Sequence, residues 1–166
     1  MEQAMESYQK AMELFKTLDK KLEIANCLFN IGDTYLLQQD YEMALRYFKE
    51  ALLLDQETQS DWGIAFDYEA LGKVYGHQKR YAQALDYHKK ALALRGKLGQ
   101  RLELSMSYTE IGSIYLEMGN YEQAQENINA SIAIAEEIGA RAQLQDNFRI
   151  LSKVYEKTGD FEKALT

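Results

Sequence analysis

The stretch that decides the fold runs from Leu28 to Leu52, "LFNIGDTYLLQQDYEMALRYFKEAL". Its apolar residues return at intervals of three and four. They pass first through Leu28, Ile31, Tyr35 and Leu36, then through Tyr41, Ala44, Leu45, Phe48, Ala51 and Leu52. That period marks one face of an α-helix. Between the two runs lies "QQD" at 38–40, a short turn in which Asp40 has a side chain suited to accept from the free N–H groups of a helix start. The stretch therefore predicts two helices in succession, each with one stripe to bury. Upstream, Leu22 and Ala25 extend the first of them.

Working outward, the same pattern returns at one constant interval. Gly32, Gly72 and Gly112 share a column that Ser152 completes, and Tyr35, Tyr75, Tyr115 and Tyr155 share another. Tyr41, Tyr81, Tyr121 and Phe161 follow, as do Ala4, Ala44, Ala84, Ala124 and Ala164. Several columns in one register define an internal repeat. The turns equivalent to "QQD" are "QKR" at 78–80, "MGN" at 118–120 and "TGD" at 158–160. Gly119 and Gly159 suit a left-handed turn residue, whereas Gln39 and Lys79 stand in the same place without that freedom. Gly inside a helix costs about 1 kcal/mol relative to Ala. Its recurrence predicts close helix packing, with Gly32 facing Ala44, Gly72 facing Ala84 and Gly112 facing Ala124.

Composition agrees with an all-α chain. There is no Pro, hydrophobic residues make up 46%, and Ala, Leu, Glu, Lys and Gln dominate. The net charge of −7 repels phosphate backbones, which argues against nucleic acid as a partner. A single cysteine, Cys27, excludes an intramolecular disulfide and fits a reducing compartment. The opening "MEQAMESYQK" lacks the basic start and apolar run of a signal peptide, and no apolar stretch reaches the roughly 20 residues a membrane helix needs. A cytoplasmic location without membrane partners is the expectation.

The columns resemble the tetratricopeptide repeat, in which a bulky residue, an apolar-Gly pair, a Tyr, and then Ala, an aromatic and Ala stand at set offsets. Here those places hold Leu28, Ile31-Gly32, Tyr35, Ala44, Phe48 and Ala51. The next unit has Tyr68, Leu71-Gly72, Tyr75, Ala84, His88 and Ala91; the third has Tyr108, Ile111-Gly112, Tyr115, Ala124, Ile128 and Ser131. The fourth keeps Phe148, Leu151-Ser152, Tyr155 and Ala164. The period exceeds the family's usual length of about 34 residues and falls in the range of HEAT-type repeats, the alternative for the fold. The extra residues fall around "KTLDKK", "ETQSDW", "KLGQRL" and "EIGARA", where longer helices are expected. This longer form is similar to the repeats of kinesin light chains, Pins-type adaptors and bacterial regulators. The resemblance implies a right-handed α-solenoid of antiparallel helix pairs, with about eight helices and a C-terminal stub. One array is expected, divided as a half repeat at 1–18, repeats at 19–58, 59–98 and 99–138, and a truncated repeat at 139–166.

The resemblance also implies where a partner would lie. The first helix of each pair lines the inner side, and its groove positions fall on Asn26, Phe29, Asn30 and Asp33, then Phe66, Glu69, Lys73 and His77. They continue with Met106, Thr109, Glu110, Ser113 and Glu117, then Asp146, Arg149, Lys153 and Lys157. Asn30 matches a place where the family holds a peptide backbone, since an amide both donates and accepts. Its equivalents are Ala70, Glu110 and Ile150, so no Asn ladder forms. Arg149, Lys153 and Lys157 make a basic ridge at helical spacing, while Glu69, Glu110 and Glu117 make the middle acidic.

No catalytic or metal-ligating constellation emerges. His77 and His88 are the only histidines, His88 stands in the aromatic core column, and Cys27 is far from both in sequence. The Tyr columns read as core and inter-helix packing rather than cofactor stacking. The expectation is a non-catalytic scaffold without cofactor, binding a peptide or helix of a partner protein and belonging to a larger regulatory protein. A sensor that controls an attached output domain is the alternative. Self-assembly is a second, through an apolar stripe of Phe148, Leu151 and Tyr155 on the last full helix. The "DFEKALT" at the end opens a helix that the register carries past Thr166, as expected for a piece of a longer array.

Overall fold

A computed structural model of the chain describes residues 2–160. The stub helix expected from Phe161, including Ala164 of the small-residue column, lies outside the described residues. Eight α-helices fill the described part: α1 Glu2–Thr17, α2 Lys21–Leu37, α3 Tyr41–Glu57, α4 Asp61–His77, α5 Tyr81–Leu98, α6 Arg101–Glu117, α7 Tyr121–Glu137 and α8 Arg141–Thr158. No strand occurs among the described residues.

One kind of turn joins every pair of helices. In each, a backbone N–H reaches back five residues to close the preceding helix, as from Lys20 to Phe15 (3.0 Å), Asp40 to Tyr35 (3.0 Å), Ser60 to Asp55 (2.8 Å) and Asn120 to Tyr115 (2.9 Å). Such a bond requires the residue before the donor to take positive φ. It does so at Asp19, Gln39, Gln59, Lys79, Gly99, Gly119, Gly139 and Gly159, evenly spaced along the chain. The donor then begins the next helix. Asp40 accepts from Met43 N (3.1 Å) and Ser60 from Gly63 N (3.2 Å). Lys20, Gln100, Asn120 and Ala140 cap without a side-chain bond. The residues beyond the usual repeat length therefore lengthen both helices of a pair and leave the turns equal.

The chain divides into two compact units, Met1–Tyr87 and His88–Thr166, with the boundary inside α5. In the first, α1 packs on α2, α2 on α3 and α3 on α4; in the second, α6 packs on α7 and α7 on α8. A core of Ala44, Phe48, Ala70, Leu71 and Val74 anchors the first unit, flanked by Phe29, Tyr35, Tyr41, Leu45, Leu52 and Tyr87. Tyr35 stacks on Tyr47 at 5.4 Å, and Tyr75 on Tyr87 at 5.5 Å, so the Tyr column packs between helices in both repeats. Ile111, Ala124, Ile128 and Ala135 are fully or almost fully buried in the second unit.

The close approach at the helical glycines differs from the expected Gly–Ala pairing. A Cβ on Gly32 would lie 2.8 Å from the ring of Phe48, one turn beyond Ala44, and one on Gly112 would lie 2.7 Å from Ile128 and 3.2 Å from the carbonyl oxygen of Ala124. The glycine makes room for the bulky residue of the facing helix, and the small alanine lets the backbones close up beside it. The apolar stripe on α8 is also less open than expected: Leu151 and Val154 are buried and Tyr155 half-buried, leaving Phe148 at 52% exposed.

Gly32→Ala should lower stability by about 1–2 kcal/mol despite Ala's better helix propensity, because the Phe48 ring must move. Gln39→Gly should raise it by up to about 1 kcal/mol by relieving a left-handed non-glycine residue. Urea-unfolding midpoints of the two variants check both signs.

Candidate functional site

In the first unit, side chains of α2, α3 and α4 enclose a cavity of about 240 Å³. Asn26, Phe29 and Asn30 come from α2, Asp55 from α3, and Trp62, Gly63, Phe66 and Asp67 from α4. The helical period explains the grouping: 26, 29 and 30 share one face of α2, and 62, 63, 66 and 67 one face of α4. Three of the family-implied positions on α2 and one on α4 therefore meet here. Asn30 donates its amide to the carbonyl oxygen of Asn26 (2.7 Å). Asp33 is exposed and does not line the cavity.

The other implied positions of α4 are engaged elsewhere. Glu69 is buried and forms an ion pair with Lys73. The His77 ring stacks on Tyr41 at 5.9 Å.

The floor of this cavity was not legible as a site. Asp55 is 6% and Asp67 1% exposed. Burial, then the neighbouring charge of Asp55 and a hydrogen bond to it, push the Asp67 carboxyl up to about 9. Burial also raises Asp55, opposed by the hydrogen bonds it accepts from Asp67 and Ser60. The pair thus holds a proton on Asp67. Gly63 leaves the space for it, because a Cβ there would overlap the Asp55 carboxylate. On α2 the buried Cys27 thiol is likewise pushed up by burial. One signal did mark the site: Asp55 falls on the apolar stripe through Phe48, Ala51 and Leu52, where a charge has no place without a purpose.

In the second unit α6 and α8 frame a cavity of about 250 Å³ lined by Met106, Thr109, Glu110 and Ser113 from α6 and Gln143, Asp146, Arg149 and Ile150 from α8. Arg149 pairs with Asp146 at 3.2 Å on the surface, a bond worth at most about 1 kcal/mol. Behind the lining runs a buried polar network. Thr109 bonds to Asn147 Oδ1 (2.6 Å) and Ser131 (2.8 Å), Ser131 to Ser105 (2.7 Å), Asn147 Nδ2 donates to Ser131 (2.8 Å), and Gln143 donates to Thr109 (2.7 Å). Such a network fixes the orientation of Thr109 and Gln143. The expected basic ridge is divided: Lys153 and Lys157 line a separate cavity of about 540 Å³ with Leu116, Glu117, Gly119, Tyr121 and Glu156.

Among the described residues no group of three or more His, Cys, Asp or Glu side chains is placed to hold a metal, and no helix is long and apolar enough to cross a membrane.

The sequence profile of the tetratricopeptide repeat matches residues 1–57, 64–137 and 103–166. The chain belongs to the tetratricopeptide repeat family. No curated protein matches it in sequence. Among solved structures it is similar to RapI in its apo form, with a TM-score of 0.87, 19% identity and coverage of 96% of this chain and 58% of that one. BtubC (BKLC) from P. vanneervenii gives a TM-score of 0.82 and 19% identity, covering 96% of this chain and 69% of that one. A signal transduction ATPase with numerous domains from Pyrococcus horikoshii, which has a tetratricopeptide repeat sensor, gives 0.83 and 22%, covering 96% of this chain and 25% of that one. At these identities the likeness is one of fold.

Asp67 should impose a pH slope on stability. The folded chain keeps its proton up to about 9, whereas the unfolded chain loses it near the ordinary value of 3.8. Between these limits folding takes up a proton, so the stabilisation present at low pH is lost as pH rises. Asp67→Asn removes the titration. Denaturation midpoints of the variant should fall less than those of the wild type between about pH 5 and pH 8.

Proposed function

We propose that the protein is a non-catalytic interaction module that holds peptide or helical segments of a partner protein, against α2 and α4 in one unit or against α6 and α8 in the other. The observation that carries this reading is convergence. Positions named only by family register, Asn26, Phe29, Asn30 and Phe66, line one cavity, and Met106, Thr109, Glu110, Ser113 and Arg149 line another. Residues from two non-consecutive helices meet in each, as a partner segment crossing both helices requires. The chemistry of the two cavities differs, aromatic and acidic in one, polar with mixed charge in the other, which gives a basis for selecting one sequence over another.

A second reading is that the module is a sensor within a larger regulatory protein. It is favoured by the fold likeness to the ATPase with a tetratricopeptide repeat sensor, and to a Rap protein solved in complex with Competence and Sporulation Factor, at 20% identity and a TM-score of 0.83. The chain spans 25% and 45% of these two proteins.

The test begins by isolating partners with the immobilised protein and identifying the bound segment. Asn30→Ala, Glu110→Ala and Arg149→Ala are then measured against that segment by calorimetry. Loss of affinity of at least about tenfold in one or more variants is the expected result; unchanged affinity in all three overturns the assignment of these faces.

A further inference from the structure

We propose that the cavity floored by Asp55 and Asp67 and walled by Phe29, Trp62 and Phe66 is a binding site for an organic cation, an alkylammonium or guanidinium group. One Asp67 oxygen is buried without a hydrogen-bond partner, although the residue is 1% exposed and lines the cavity. A buried acceptor left in this way is costly, and a donor with positive charge satisfies it best. Two adjacent buried carboxyls cannot both ionise unless a positive charge joins them. When the site is empty a proton does so; a bound cation takes its place.

The walls select the kind of cation. Trp62 and Phe66 lie with ring centroids 4.3 Å apart, and Phe29 meets Phe66 nearly at right angles at 6.5 Å. Aromatic faces attract ammonium and guanidinium groups and give a bare metal ion no ligand. Trp62 is 57% exposed at the rim, in the first turn of α4. No basic side chain lines the cavity to attract an anion. At ~30 Å³ per water, a volume of about 240 Å³ takes a chain of several heavy atoms.

The repeat register supplies an internal comparison. One repeat further on, positions 55 and 67 become Arg95 and Ser107. There the buried Arg95 guanidinium donates to the Ser107 hydroxyl (2.7 Å) and to the carbonyl oxygen of Glu103 (3.1 Å). One repeat fills this position with its own guanidinium. The preceding one presents carboxyls there and an aromatic entrance.

The cation is a free amine, or a lysine or arginine side chain of a partner segment; the latter source rests on the interaction reading above. Trp62 is the only tryptophan, so its fluorescence reports on this cavity alone. The wild type is titrated with n-butylammonium, with methylguanidinium, with a blocked Gly-Lys-Gly peptide, and with calcium chloride and sodium acetate as controls. A saturable change with the organic cations, weakened at least about tenfold in both Asp67→Asn and Asp55→Asn, is expected. Thermal melting shows that the variants are folded. Comparable affinity for butylammonium and the peptide assigns the site to free amines, whereas clearly tighter peptide binding assigns it to a partner side chain. No saturable response to any organic cation, an undiminished response in folded Asp67→Asn, or a response to calcium alone overturns the proposal. Partner binding that depends on Glu110 and Arg149 while the amine titrations are silent would refute the cation site and leave the interaction reading standing.

Discussion

How near two helices of a pair can come is set by one contact, the bare face of Gly32 against the ring of Phe48, repeated as Gly112 against Ile128. With the backbones close, Ala44 and Ala124 are fully buried, and Tyr35 and Tyr47 lie flat against each other. The apolar stripes are consumed within and between pairs, and the opposite faces of α2, α4, α6 and α8 are left free to vary. The core repeats because packing demands it, and the remaining positions carry no such demand.

Between the repeating core and the varying face lies a third set of positions, buried yet unconstrained by the glycine contact. Position 55 holds Asp, and its later equivalents hold Arg95 and Ala135; position 67 holds Asp, with equivalents Cys27, Ser107 and Asn147. All of these are buried. A buried polar group must find a partner, so each substitution here obliges others nearby. Arg95 finds Ser107, and Asn147 finds Ser131 and Thr109. These places give each repeat its own interior chemistry without moving a helix.

The helices, their order and their turns were legible because they follow from local periodicity and from columns that recur. The Asp40 cap was read from one residue in one turn and is present, with Met43 N as donor. The partner of Gly32 was misplaced by one turn, from Ala44 to Phe48, because sequence spacing shows which faces meet but not which side chain fills a hollow. Asn26, Phe29, Asn30 and Phe66, which stand at family positions, line the first cavity. Asp55, Trp62 and Asp67, which line the same cavity, stand at positions whose residue changes from repeat to repeat, so no shared column points to them. The commitments of Glu69 to Lys73 and of His77 to Tyr41 join residues whose pairing no column records.

Tyr41, Asp61 and Tyr81 open successive helices at even spacing, yet only Tyr41 and Tyr81 belong to one sequence column. The geometric step is half the hereditary one. Duplicating or losing a whole repeat keeps the two kinds of helix alternating, and so keeps the hollow of one opposite the bulky residue of the next. Duplicating or losing half a repeat would keep each turn in place while setting two helices of one kind side by side, ring against ring or hollow against hollow. Packing therefore favours steps of two helices, although nothing in the turns themselves forbids a single one.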